Sequence, residues 1–236
     1  MTAITRIFTH LSRAMFGILV LGAASLTSPA AADDDDGKLA IFVVVESGGT
    51  VQDQEAVRTT AHHVLAELTE LTSRRANRDA EISIILTSAP SSVAWSGTPR
   101  TLQKNPQLAM DSIQFRQTCS DLRLAWDQVG LLQQITMPDR SWLIAIGPQI
   151  HAGFPCGDDE ISLPQPAPLG LKLTDLALNA ERVRLLEVHP DQMEVMVSLM
   201  RSSGVLQQAH DGALDFNLMD PSRTHAKRGK LLSDTQ

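Results

Sequence analysis

Apolar residues gather in short unbroken runs, separated by longer stretches in which they recur every three or four positions. Leu39 to Val45 reads Leu-Ala-Ile-Phe-Val-Val-Val, and the lack of polar alternation is the mark of a strand covered on both faces. The Ile-rich run 81–87 and the run 141–146 read as buried strands too, and 183–188 as a fourth strand. Helical spacing fills the intervals. Over 51–76, Val57, Ala61, Val64, Leu65 and Leu68 share one face, while Asp53, Glu67 and Glu70 are expected toward water. Over 120–135, Leu122, Trp126, Val129 and Leu132 do the same. Shorter helices are expected over 174–181 and 191–203, the second stopped by Gly204 at the position after the cap. Its Met193, Met196, Val197 and Met200 form a stripe that reads as core. The segment 93–102 carries Gly97 and Pro99, which suit only a short edge hairpin strand.

Strands alternating with helices predict an α/β domain: a doubly wound, mainly parallel central sheet flanked by helices, with one short antiparallel edge strand. Composition adds the compartment. Residues 1–32 read as an export signal peptide, with Arg6 and Arg13 at a basic start, an apolar run over 14–26, and Ala30-Ala31-Ala32 as a cleavage site. Thirteen apolar residues fall short of the about 20 that span a bilayer, so no stable membrane insertion is expected after cleavage, and the mature chain is expected to be periplasmic or secreted. Residues 33–37 form an acidic mature amino terminus, 38–220 the domain, and 221–236 a disordered basic tail with Arg223, Lys227, Arg228 and Lys230. Loss of Arg6 and Arg13 takes the formal net charge from −7 to −9. An acidic chain without a basic, aromatic-studded stripe is not built for nucleic acid.

Candidate chemistry centres on the turn Glu46, Ser47, Gly48, Gly49, Thr50. It leaves the carboxyl end of the first buried strand, where open α/β sheets bind ligands. Thr50, with Asp53 three residues on, is the expected helix cap. The two glycines could cradle a phosphate, but neither the lysine of a P-loop nor the third glycine of a dinucleotide fingerprint is present. Ser47 sits where an esterase nucleophile would, with Asp158, His189 or His210 later in the chain, but Val45 occupies a position the nucleophile elbow keeps small. His151, His189 and His210 show no metal-ligand spacing.

The order of parts resembles a von Willebrand factor type A domain of Rossmann-like build. The matching pieces are residues 41–50, the segment Gln117-Thr118-Cys119-Ser120-Asp121-Leu122, the strand 142–146, and the final helix over 191–204 ending in Ser-Gly. In that family the first turn reads Asp-x-Ser-x-Ser and, with a later Thr and Asp, holds a divalent ion whose open position takes an acidic group from the partner. Here Glu46, Gly48 and Thr50 stand in for that triplet, or Val45, Ser47 and Gly49 in the other register. Thr118 fits the later Thr, Asp121 is one residue too far along, and the strand that should end in Asp-Gly ends in Gly147-Pro148. The resemblance thus implies a degenerate adhesion site with no cofactor and no metal. The alternative is magnesium or calcium held through Glu46, Ser47, Thr50 and Thr118 with oxygens borrowed from Asp158 or Asp159.

Two cysteines remain, Cys119 and Cys156, and in an exported chain an even pair reads as a disulfide. Closing about 37 residues would stabilise by about 4 kcal/mol. The functional expectation is a non-catalytic, exported module that recognises a protein partner through Glu46, Ser47, Gly48, Gly49, Thr50, Thr118, Gln149 and the loop 149–159. A serine hydrolase using Ser47 is the remaining alternative.

Overall fold

A computed structural model describes residues 37–150 and 172–233. Six strands, β1 (Leu39–Val45), β2 (Glu81–Leu86), β3 (Val93–Gly97), β4 (Arg140–Ile146), β5 (Arg182–Leu186) and β6 (Asp215–Leu218), form one sheet in the order β3-β2-β1-β4-β5-β6. All neighbours are parallel except β2 and β3. The helices are α1 (Gln54–Thr69), α2 (Pro99–Lys104), α3 (Pro106–Ser112), α4 (Leu122–Thr136), α5 (Leu173–Leu178), α6 (Pro190–Ser202), α7 (Val205–His210) and α8 (Pro221–Ala226). This is the doubly wound arrangement expected, with the strand order reversing between β1 and β4. Such a switch point is where open α/β sheets form a ligand crevice.

The central position of β1 follows from its composition. Leu39, Ile41, Val43 and Val45 pack with Val57, Ala61, Val64 and Leu68 of α1 on one face. Ala40, Phe42 and Val44 pack with Trp126 and Val129 of α4 and with Met196 and Met200 of α6 on the other. Burying each of the larger side chains contributes about 2 kcal/mol. A polar residue at any of the seven positions would be driven into one core or the other. Among the described residues, no helix is long and apolar enough to cross a membrane.

Several boundaries differ from expectation, each for a local reason. The first helix starts at Gln54, not 51, and its cap is Asp53, whose side chain accepts from the Ala56 amide at 2.9 Å. Thr50 lies one turn too early because the Val51 amide first closes on the Gly48 carbonyl. That helix ends at Thr69 and tightens into a 3₁₀ turn over Glu70–Ser73. The edge strand stops at Gly97, where Thr98 caps α2 and Pro99 takes the first helical turn. The helices α3 and α7 and the strand β6 lie in stretches to which the hydrophobic pattern assigned no element.

The largest correction concerns the basic tail. Residues 221–233 are ordered: Asp220 caps α8 through the Arg223 amide at 2.8 Å, and Leu231 and Leu232 are buried. Glu67, expected at the solvent side of α1, is instead buried, and its two carboxylate oxygens accept from the Leu231 and Leu232 amides at 2.8 Å each. From the sheet, the buried Arg184 donates to the Leu231 and Ser233 carbonyls at 3.0 Å, and Arg182 donates to the Leu232 carbonyl at 2.6 Å. Asp215 of β6 neutralises both guanidinium groups, at 2.8 Å from Arg182 and 2.6 Å from Arg184. The tail is therefore clamped between a carboxylate and two guanidinium groups.

Removing one member of a buried ion pair leaves the other charge uncompensated, at a cost of about 3 kcal/mol. Asp215→Ala is expected to lower the free energy of unfolding by about that amount, read from the urea midpoint. A midpoint equal to that of the unaltered chain would refute the clamp.

Candidate functional site

The turn after β1 lies at the switch point, and its polar groups are turned inward. Glu46 and Ser47 are both fully buried. The Glu46 carboxylate crosses to the loop after β4, where it accepts from the Gln149 amide, from Gln149 Nε2 at 3.1 Å and from the Ile150 amide at 3.3 Å. Gln149 presents its backbone from the left-handed region, at φ 58°. Close approach here requires Gly147: its φ is 143°, and a Cβ at that position would stand 2.4 Å from the Glu46 Cβ. Thus Gly147, which replaces a carboxylate in the family pattern, makes room for the carboxylate of Glu46.

Ser47 joins a hydroxyl relay. Its Oγ lies 2.7 Å from Ser88 Oγ, its amide donates to Thr87 Oγ1 at 3.1 Å, and Thr87 Oγ1 lies 2.6 Å from Ser120 Oγ. Thr87 and Ser88 stand at the carboxyl end of β2, the parallel neighbour of β1. The reasoning that singled out Ser47 therefore applies to them equally, though they were overlooked. Gly48 lies against the segment before α4. A Cβ there would meet the Thr118 carbonyl at 2.7 Å and the Ser120 amide at 2.8 Å. The Gly49 amide donates to that same Thr118 carbonyl at 2.8 Å. Thr118 is exposed, and Cys119 beside it is half-buried. Thr50 is buried, and its Oγ1 has no hydrogen-bond partner among the described residues, so it is not the cap expected of it.

The structure therefore brings together Glu46 with Gln149, and Gly48 and Gly49 with the backbone of Thr118. His151, Cys156, Asp158 and Asp159 lie outside the described residues, as does most of the loop 149–159. His189 caps α6, its Nδ1 accepting from the Asp191 amide at 3.2 Å. His210 is exposed at the end of α7. Among the described residues, no imidazole is hydrogen-bonded to Ser47, whose hydroxyl faces Ser88.

A divalent ion demands several hard oxygens converging at fixed spacing. The oxygens of this turn do not converge. Glu46 is folded onto the amides of Gln149 and Ile150, Ser47 is paired with Ser88, and the Thr118 carbonyl is taken by Gly49. The residues present do not fit such an ion. Beside this turn, Glu187 follows β5 with a φ of 62° and a buried carboxylate, a second polar residue at the same edge that sequence reasoning missed. A carboxylate directly after a buried strand was the available clue.

No family model and no curated protein matches the chain. Among solved structures, the PilB minor pilin from Streptococcus sanguinis is similar with a TM-score of 0.43 and 9% sequence identity, over 83% of this chain and 60% of that one. This chain thus spans less than two thirds of that protein's solved length.

Burial pushes the Glu46 carboxyl up to about 8, against the pull of the Gln149 and Ile150 amides. At neutral pH it is mainly the neutral acid. Between the ordinary carboxyl value and about 8, the folded state holds a proton that the unfolded chain has released. The contribution of Glu46 is therefore fully present at the acid end of that window and lost as pH rises through it, at up to about 1.4 kcal/mol per pH unit. Burial also raises Glu67 and Glu187, whose contributions have the same sign. The Glu46→Gln variant isolates the term: its stability, from urea midpoints between pH 4.5 and 8.5, is expected to fall less steeply than that of the unaltered chain. Parallel curves would show that Glu46 does not titrate in that window.

Proposed function

We propose that the chain is an exported, non-catalytic binding module of the von Willebrand A type that recognises a protein partner through the carboxyl edge of its sheet. The recognition surface centres on the exposed Thr118 and the half-buried Gly49 and continues into the loop that begins at Gln149, with Glu46, Ser47, Thr50 and Gln149 fixing these loops from beneath. The observation that carries this reading is the inward hydrogen bonding of Glu46 and Ser47 at a topological switch point. Polar groups that would bind an ion or attack a substrate instead fasten three loops to one another. Such loops present a preorganised surface, which lowers the ordering cost of association. A disulfide between Cys119 and Cys156 belongs to the same proposal, as do removal of residues 1–32 and a periplasmic or secreted location.

Chemical crosslinking in the native envelope, followed by mass spectrometry, tests the surface. The expected result is a partner crosslinked near Thr118 and lost in Thr118→Arg, whose exposed position leaves the melting temperature unchanged. Crosslinks that ignore this substitution would overturn the reading.

Metal-dependent adhesion is tested separately, by thermal melting with and without magnesium or manganese. A ligand that binds only the folded state raises the midpoint. No rise is expected, and a rise of several degrees at millimolar metal would restore the ion-binding alternative.

A further inference from the structure

Beneath Thr50, outside the carboxyl ends of β1, β4 and β5, lies a cavity of about 170 Å³. Its walls are mostly apolar and include Val51, Val57, Ile150 and Pro221. Small-molecule pockets commonly enclose about 300–1,000 Å³, so this one suits a single side chain. Its polar lining comprises Gln52, Asp53, His189, Thr50, Glu187 and His225, of which the last three bear on a ligand. Thr50 is 4% exposed, and its Oγ1 has no partner among the described residues. The carboxylate of Glu187, 5% exposed, accepts from Thr60 Oγ1 at 2.6 Å and faces His225 Nε2 at 3.2 Å, both on its Oε1. His225 is about two-fifths exposed.

Glu187 is held in an unusual state. Its backbone is left-handed at φ 62°, a strained conformation for a residue with a side chain and one that gathers at ligand clamps. Its carboxylate is buried with a hydroxyl and an imidazole as direct partners; among the described residues no lysine or arginine is in ion-pair contact with it, and the Arg228 charge acts on it from further off. A buried carboxylate with no permanent cation in direct contact is costly. An orphaned hydroxyl in the same wall adds an unused acceptor. The combination of an apolar shaft, a carboxylate and a free hydroxyl complements a primary alkylammonium, whose stem packs on carbon while its head donates hydrogen bonds.

We propose that this cavity receives a lysine side chain of the partner protein, with its ammonium donating to Glu187 and Thr50 Oγ1. The assignment rests on the protein-binding reading and names the chemistry of the contact. The acidity of the whole chain, −7 in formal charge, favours a basic partner in the same sense.

The test uses the full chain and two model compounds, Nα-acetyl-lysine methylamide and its norleucine counterpart, which share the stem and differ in the ammonium. Amide NMR shifts of Thr50, Ile150 and His225 are followed during titration. Saturable shifts are expected with the lysine compound, with affinity at least tenfold weaker for the norleucine one. Glu187→Gln should weaken lysine binding at least tenfold and Thr50→Val several-fold, the second variant covering the case in which the first does not fold. Equal binding of the two compounds, no saturable shift, or full binding by both variants would overturn the assignment. A free diamine such as cadaverine binding tenfold tighter than the lysine compound would also overturn it, by making a small amine the occupant. If the lysine compound fails to bind while Thr118→Arg still abolishes the partner crosslink, the cavity assignment falls and the protein-binding reading stands. If the crosslink ignores Thr118, that reading falls whatever the compounds do.

Discussion

β1 has no face of its own to offer to water. Seven consecutive apolar side chains demand a core on each side, and the two cores require helices above and below the sheet. That demand places β1 in the middle, makes its neighbours parallel, and forces the chain to cross to the other side after β3. The crossing creates the crevice between the ends of β1 and β4. Everything at the apex is a consequence, because the residues that follow so buried a strand emerge where the strand order reverses.

What emerges there is polar, yet little of it reaches solvent. Glu46 is folded back onto the loop after β4, and Ser47 is linked through hydroxyls to the ends of β2 and the start of α4. Buried polar groups are tolerated when they are partnered and costly when they are not. The apex follows that rule almost throughout, and its exceptions are instructive. Thr50 Oγ1 and Gln149 Oε1 have no partner, and both belong to segments proposed to face a partner protein.

The buried strands and the long helices were legible because their information is local. A run such as 39–45 declares its environment by composition alone, and the stripe along α1 by period. Helix starts were less legible: Thr50 and Asp53 are both good caps, and the choice between them depends on a turn closed by the Gly48 carbonyl. The four residues of β6 and the short α3 and α7 are too brief for any period to show. The charged stretch 223–230 reads as solvated because its partners lie far off in sequence. Glu67 is 164 residues from Leu231, and Arg184 is 47. The same limit governs the site: the residues of the turn could be named, but the direction of Glu46 depends on amides 103 and 104 positions later.

The clamp on residues 231–233 also sets an order of events during synthesis. Arg184 leaves the ribosome 47 residues before the Leu231 carbonyl that it needs, an interval of roughly 2–10 s at common elongation rates. For that time, the nascent chain carries a guanidinium destined for a dry interior with Asp215 already made but the Leu231 and Ser233 carbonyls still untranslated. The buried arginines of β5 gain their full set of acceptors only after residues 231–233 have been made.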